Sequence, residues 1–198
     1  MYMIHSCPAR MWYVDGFLIP SMLEQGILRD EIIVWCDTEG KGNLASCMES
    51  FAFCRDRPGG TWHLQDDVMI SHDFAPRSRE YAGDSIVCGF CYSGYEPGIP
   101  ITGYVFPVLM WNSSFPCIFI PNKMAAECAD WFYADARARP ELAGWTESGK
   151  NDDNFFHAFC VEKYADAWVL NLAPHLVEHV DYIIGGSTIN QWRDHTSR

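Results

Sequence analysis

The sequence has few basic residues and no long apolar run. Its 198 residues include 14 lysines and arginines against 26 aspartates and glutamates, which gives a formal net charge of −12. Such a surplus of negative charge repels a phosphate backbone over most of the surface and disfavours generic nucleic-acid binding. No stretch of the sequence approaches the roughly 18 consecutive apolar residues that a membrane-spanning helix needs. We therefore expect no membrane span and no general affinity for DNA or RNA.

The sequence also lacks the marks of an exported protein. Its first twenty residues contain no uninterrupted apolar region of the kind found in signal peptides, because His5, Arg10 and Asp15 interrupt them. The nine cysteines are an odd number and have no spacing typical of a small disulfide scaffold. Scattered cysteines of this kind are typical of reduced thiols in a reducing compartment. The sequence therefore predicts a cytoplasmic protein.

Apolar side chains are abundant, and they alternate between two patterns. Of all residues, 48% are hydrophobic, which at this length predicts one ordered domain with a single core. Apolar runs at 2–6, 31–36 and 61–67 are typical of buried strands, whereas 13–27 and 43–54 have apolar residues at helical spacing. Alternation of this kind indicates parallel βαβ units. We therefore expect an α/β fold with a mostly parallel central sheet.

The second half of the chain is less regular. The proline-rich segment 96–116 is interpreted as an irregular excursion, which is the usual place for a binding loop. A helix is predicted from Asn122 to a stop before Pro140, and another is predicted within 151–167.

Two adjacent carboxylates, Asp66 and Asp67, follow the third predicted strand. Ligands of parallel α/β sheets gather beyond the carboxyl ends of the strands. A pair of ionised carboxylates is mutually repulsive and costly to desolvate, so a cation or a shared proton usually accompanies it. The sequence therefore predicts a cation site at the end of this strand.

Four motifs, in their order along the chain, carry a resemblance to a known family. They are "IHSCPAR" at 4–10, "HLQDDV" at 63–68, "NDDNFF" at 151–156 and "PHLVEHVDYIIGGSTIN" at 174–190. Together they resemble a small glycosyltransferase of the GT-A fold, and the resemblance covers nearly the whole chain. It implies one catalytic domain over residues 1–198, built as a single Rossmann-like αβα sandwich. Residues 1–73 are then expected to form the nucleotide-binding half, and residues 74–198 the acceptor-side half.

The resemblance also implies a metal site. Enzymes of this family bind a nucleoside diphosphate sugar through Mn²⁺ or Mg²⁺, which an Asp-x-Asp motif holds, often with a C-terminal histidine. The matching positions here assign the metal to Asp67, with Asp66 and His179 assisting. Gln65 stands at the first acidic position of the motif, so whether Asp66 or Asp67 coordinates the ion stays open.

Further residues are candidates for contacts with the donor and the acceptor. The candidate donor contacts are Arg10, Asp66, Gly185, Gly186 and Ser187, the last three through backbone N–H groups that face the phosphates. Trp111, within the proline-rich excursion, is expected to stack on a sugar. Arg77 is expected to hold a phosphate-bearing ligand.

Two further carboxylates, Asp152 and Asp153, begin a predicted helix and are the candidate catalytic residues. The helix dipole is expected to lower the pKa of both groups and keep them ionised. An ionised carboxylate near the acceptor hydroxyl can accept its proton as the new glycosidic bond forms. Asp152 suits the role of a helix cap, so Asp153 is the preferred candidate on the acceptor side.

The resulting hypothesis is a metal-dependent glycosyltransferase that acts on the hydroxyl of a glycan, a small molecule or a modified DNA base. Binding of a modified DNA base requires a basic patch around Arg77 and Arg79. Two alternatives stay open. The "HLVEH" segment matches the H-x-x-E-H pattern of zinc metallohydrolases, with His175, Glu178 and His179 on a helix. The second alternative is that the chain is a non-catalytic binding module.

Overall fold

The computed structural model describes residues 1–81, 83–90, 104–110, 115–134, 152–180 and Ile184. These residues form an α/β fold in which helices cover both faces of a mixed seven-stranded sheet. The architecture is compatible with the predicted Rossmann-like fold. No helix of the described ranges is long and apolar enough to cross a membrane.

Nine strands are present in these ranges. They are β1 (Tyr2–Ser6), β2 (Ile32–Cys36), β3 (Gly60–Gln65), β4 (Val68–Ile70), β5 (Ile86–Cys88), β6 (Tyr104–Pro107), β7 (Cys117–Pro121), β8 (Trp168–Asn171) and β9 (Val177–His179). The main sheet has the order β2-β1-β3-β7-β5-β8-β6, and β4 and β9 form a separate antiparallel pair.

The main sheet is largely but not wholly parallel. Strand β1 pairs in parallel with β2 and β3, and β5 pairs in parallel with β8. Strand β7 runs antiparallel to β3 and β5, and β6 runs antiparallel to β8. Five of the seven strands therefore share one direction. Strand β6 lies in the segment expected to be irregular, so that expectation is wrong for Tyr104–Pro107.

Most of the helices follow the predicted positions, but the helix at Phe74–Glu80 was not predicted. The chain after β1 winds through a 3₁₀ turn (Pro8–Arg10), α1 (Met11–Tyr13), a π-helical turn (Val14–Leu18) and α2 (Ile19–Glu24). The later helices are α3 (Asn43–Phe53), α4 (Phe74–Glu80), α5 (Asn122–Ala134) and α6 (Asp152–Lys163). Short 3₁₀ turns lie at Arg29–Glu31 and Val108–Met110.

Two apolar clusters hold the helices to the sheet. On one face, α3, α5 and α6 bury aromatic side chains such as Phe51, Phe132 and Phe155. On the other face, the segment from Pro8 to Glu24 packs with α4 over Tyr2, Ile4 and neighbouring strand residues. Because strand side chains alternate between faces, Ser6 shares the face of Tyr2 and Ile4. The end of β1 therefore faces the helical segment that carries Arg10.

The direction of α6 places its first residues at the edge of the sheet where the Asp66–Asp67 pair lies. Helix α6 leads into β8, which runs parallel to β5 and in the same direction as β1. A helix that precedes such a strand runs back across the sheet, so its N-terminus lies at the carboxyl edge of the parallel strands. Asp152 and Asp153 therefore begin α6 at this edge.

The eight cysteines in the described residues are present as thiols, and the reduced compartment stays a prediction. Cytoplasmic localisation stays a prediction. The division into halves at residues 73 and 74 also stays a prediction.

Candidate functional site

One arginine binds both members of the Asp66–Asp67 pair. Nη1 of Arg10 donates to Oδ1 of Asp66 at 2.6 Å and to Oδ2 of Asp67 at 2.8 Å. Each aspartate is only 5% exposed, so the two negative charges are largely desolvated and need a positive partner. The predicted cation beside the pair is therefore a guanidinium in this structure. A contact between Arg10 and a nucleotide stays a prediction.

Ser6 also supports the pair, although it was not among the predicted site residues. Its Oγ donates to Oδ2 of Asp66 at 2.9 Å. Both oxygens of Asp66 are thus occupied, one by Ser6 and the other by Arg10. Ser6 ends β1, the parallel neighbour of β3, and this position was the signal available in the sequence. Residues that end adjacent parallel strands meet at one edge of the sheet.

A small second sheet brings His179 to Asp67. Strand β4 follows the aspartates directly and pairs with β9, with Val68 opposite His179. The backbone N–H of Val180 donates to the carbonyl oxygen of Asp67 at 2.8 Å, which extends this pairing. Nε2 of His179 lies 3.2 Å from Oδ1 of Asp67, and both side chains are 7% exposed. The structure thus places His179 beside the aspartate to which the resemblance assigned it.

Oδ1 of Asp67 is the open acceptor of the site. This atom is buried and accepts no well-aligned hydrogen bond from the described part of the chain, although Nε2 of His179 lies 3.2 Å away. Two neighbouring ligand atoms of an octahedral ion at about 2.1 Å lie about 3.0 Å apart. The separation between Nε2 of His179 and Oδ1 of Asp67 is close to this value. These two atoms therefore fit one edge of a cation's coordination sphere.

The two aspartates have pKa values shifted in opposite directions. Burial raises the pKa of Asp66, and the guanidinium of Arg10 offsets only part of this effect. For Asp67, burial again favours the neutral acid, but His179 and Arg10 outweigh it and lower the pKa. Asp67 is therefore the more acidic of the two carboxyl groups. Its open oxygen and its lowered pKa favour it over Asp66 as the metal ligand.

The donor set fits a cation that arrives with a phosphate ligand. Within the described ranges, no group of three or more His, Cys, Asp or Glu side chains is arranged to hold a metal ion. Asp67 and His179 offer two donors. Mg²⁺ usually retains several waters and is held by one or two carboxylates together with substrate phosphates. A two-donor site suits such an ion better than it suits a tightly bound structural metal.

Asp152 and Asp153 have raised pKa values, so the expected lowering by the helix dipole is wrong. Burial and the neighbouring Asp153 raise the pKa of Asp152 to about 7, and Asp67 adds to this shift. Burial also raises the pKa of Asp153. Desolvation disfavours the charged carboxylate more strongly than the helix end favours it. The influence of Asp67 on Asp152 indicates that both groups belong to one electrostatic site.

Both carboxylates accept backbone N–H groups at the start of α6, so the capping role expected for Asp152 is shared with Asp153. Oδ1 of Asp153 accepts the backbone N–H of Asn154 at 2.7 Å, so Asp153 satisfies a free donor at the start of α6. A base works best when its pKa lies near the working pH, and the pKa of Asp152 meets this condition. The structure therefore favours Asp152 over Asp153 as the proton acceptor.

Arg77 lies on α4 and contacts the segment that leads to β9. Its Nη2 donates to the carbonyl oxygen of Pro174 at 2.6 Å, and its Nη1 lies 3.7 Å from Asp73. Arg79 pairs with Glu31 at 3.3 Å. The two arginines are thus engaged with neighbouring groups, and a basic patch for a DNA acceptor stays a prediction. Four further candidates, Trp111, Gly185, Gly186 and Ser187, lie outside the described residues.

The H-x-x-E-H segment has the wrong geometry for a helical zinc site. Val177–His179 forms β9, not a helix, so Glu178 and His179 point to opposite faces of a strand. The helix that this alternative requires is therefore not formed by Val177–His179. His175 packs against the ring of Phe90, with ring centroids 5.0 Å apart.

Comparison with models of known protein families and with curated proteins finds no match for this chain. The fold and the site themselves define an α/β protein with two buried acidic side chains, beside a histidine and an arginine, at the carboxyl edge of a mainly parallel sheet.

His179→Ala is expected to weaken Mn²⁺ binding at least about tenfold, because it removes one of the two donors. Titration of Mn²⁺ followed by electron paramagnetic resonance of the free ion measures this affinity. His175→Ala is the matched control, since His175 packs on Phe90, and it is expected to leave the affinity unchanged. Equal Mn²⁺ affinity in the wild type and in His179→Ala would exclude His179 from the site.

Proposed function

We propose that this protein is a metal-dependent glycosyltransferase that moves a sugar from a nucleoside diphosphate sugar to an acceptor hydroxyl. The observation that carries the proposal is the convergence of Asp67 and His179, whose atoms lie 3.2 Å apart at the carboxyl edge of the sheet. This edge is the usual place for ligands in parallel α/β folds. The order of the motifs and the αβα layering give further support to a GT-A-like enzyme.

In this proposal, Asp67 and His179 hold Mn²⁺ or Mg²⁺. When bound, the ion supplies charge neutralisation to the diphosphate, which gains negative charge as the glycosidic bond breaks. Ser6 and Arg10 hold Asp66 in a fixed orientation through its two oxygens. Asp66 is thereby positioned to accept hydrogen bonds from the hydroxyls of the donor.

Asp152 is the proposed proton acceptor, and Asp153 shares in the capping role. A carboxylate with a pKa of about 7 is substantially ionised at neutral pH and is still basic enough to take a proton from a hydroxyl. If transfer inverts the anomeric centre, Asp152 takes the proton of the acceptor. If transfer retains the configuration, Asp152 orients the acceptor hydroxyl. Both routes are compatible with its place at the start of α6.

The acceptor is proposed to be a glycan or a small molecule rather than a modified DNA base. The net charge of −12 opposes approach of a phosphate backbone. The arginines of α4 are occupied by a carbonyl group and by acidic side chains.

A thermal-shift panel of nucleotide sugars, each with and without Mn²⁺, tests the proposed function. We expect one donor class to raise the melting temperature by several degrees only when Mn²⁺ is present, since a ligand that binds the folded state stabilises it. Asp67→Asn should lose this response. A panel in which no nucleotide sugar stabilises the protein at millimolar concentration would contradict the proposal.

A non-catalytic binding module is the second candidate, and one observation favours it. Arg10 is already a cation beside the acidic pair, and in such a module its guanidinium pairs with the diphosphate without any metal. Such a module would be stabilised equally with and without Mn²⁺, and it would transfer no sugar to any acceptor. The same panel, followed by an assay for release of the nucleoside diphosphate, separates the two candidates.

A further inference from the structure

We propose that Arg10 is an exchangeable counter-ion, which holds the two carboxylates in the metal-free protein and gives up Asp67 when a divalent cation binds. This inference rests on the proposed function, because it concerns how metal binding at the site of Asp67 and His179 is controlled. It assigns Arg10 a role before the donor arrives, whereas the resemblance implied only a contact with the donor.

The geometry places one positive group on both acids. A single nitrogen, Nη1 of Arg10, lies 2.6 Å from Asp66 and 2.8 Å from Asp67. The contact to Asp67 uses Oδ2, whereas Oδ1 of the same carboxylate faces His179 and has no aligned hydrogen bond from the described residues. Asp67 therefore has one oxygen held by the arginine and one oxygen directed at the other metal donor.

Arg10 and a divalent cation compete for the same negative charge. Each cation lowers the energy of the buried carboxylate pair, and the two cations repel each other at short range in a site that water screens poorly. The net affinity for a metal is therefore reduced by the presence of the guanidinium. Removal of the guanidinium leaves two buried carboxylates without a positive partner, which is costly unless another cation binds.

Arg10 reaches the buried pair from a partly exposed position. It ends a 3₁₀ turn at the start of the helical segment, and its side chain is 14% exposed, so part of the side chain is in contact with solvent. A displaced guanidinium needs a new anion, and a diphosphate offers oxygens in a suitable fork geometry. Binding of the metal and binding of the diphosphate should therefore favour each other.

The test measures Mn²⁺ alone, without nucleotide. Arg10→Met keeps a long apolar side chain and removes the charge, and it is expected to bind Mn²⁺ at least about tenfold more tightly than the wild type. Arg79→Met is the matched control, because it makes the same change in net charge at an exposed residue paired with Glu31. We expect this control to stay within about twofold of the wild type. The double variant Arg10→Met with Asp67→Asn should lose this gain in Mn²⁺ affinity.

Equal Mn²⁺ affinity in folded Arg10→Met and wild-type protein would overturn the proposal, and so would an equal gain in Arg79→Met. If Arg10→Met is unfolded without metal, circular dichroism should show that millimolar Mn²⁺ restores its helices. Failure to refold in Mn²⁺ also counts against the exchange. Because no nucleotide is present, these outcomes do not depend on the thermal-shift panel of nucleotide sugars. If no nucleotide sugar stabilises the protein but Arg10→Met binds Mn²⁺ more tightly, the exchange of Arg10 is supported and the proposed glycosyltransferase activity is contradicted.

Discussion

Asp67→Asn is expected to reduce the Mn²⁺-dependent affinity for a nucleotide sugar by at least about a hundredfold, without unfolding the protein. The substitution keeps the shape of the side chain but removes the negative charge that attracts the ion. Oδ1 of Asp67 is the open, buried acceptor 3.2 Å from His179, and neutral oxygen there is a much weaker ligand. Asp66 keeps its contacts with Ser6 and Arg10, so the end of β3 stays in place.

Isothermal titration calorimetry with and without Mn²⁺ measures this loss. Asp30→Asn is the matched control, because the same chemical change falls on an exposed acid outside the site. The control should bind like the wild type. Full Mn²⁺-dependent binding by folded Asp67→Asn would remove Asp67 as the metal ligand.

Asp152→Asn is expected to lower sugar transfer by about 10²–10⁴-fold while donor affinity stays near that of the wild type. Asparagine fills the same space but cannot accept the proton of the hydroxyl. In the wild type, kcat/KM should rise with pH through about 7 as Asp152 ionises, and this rise should disappear in the variant. Asp153→Asn serves as the comparison. Asparagine keeps an oxygen that accepts the N–H of Asn154, so this variant should retain both its stability and its transfer activity.

The raised pKa of Asp152 also has a consequence for stability, which needs no substrate to measure. The folded protein holds this proton more tightly than the unfolded chain, so stability is highest below the ordinary pKa of an aspartate and falls as the pH rises through about 7. Asp152→Asn should therefore be more stable than the wild type at pH 8, by about 1–3 kcal/mol, and similar to it at pH 4. Urea unfolding at the two pH values measures the difference.

These results together decide the role of Asp152. Unchanged transfer by Asp152→Asn, or loss of donor binding in parallel with transfer, would exclude it as the base on the acceptor side. A stability difference that does not depend on pH would show that its pKa is not raised.

The sequence by itself determined the first half of the fold and the position of the acidic pair. Apolar residues that recur every two or every 3.6 residues predicted β1, β2, β3 and the helices between them. This works because the side chains of each element show which of its faces is buried. The end of β3 followed from the same pattern, and with it the placement of Asp66 and Asp67. The C-terminal histidine was found through the order of the motifs, not through any local pattern.

Only the tertiary structure decided the direction of β6 and β7, because the apolar pattern of a strand is the same in parallel and antiparallel pairing. It also decided the partner of Arg10, which lies 56 residues from Asp66 in the chain. The pKa of Asp152 depends on burial and on Asp67, both supplied by distant elements. Local sequence fixes periodicity and the ends of elements, whereas desolvation and charge pairing arise only when separate elements pack together.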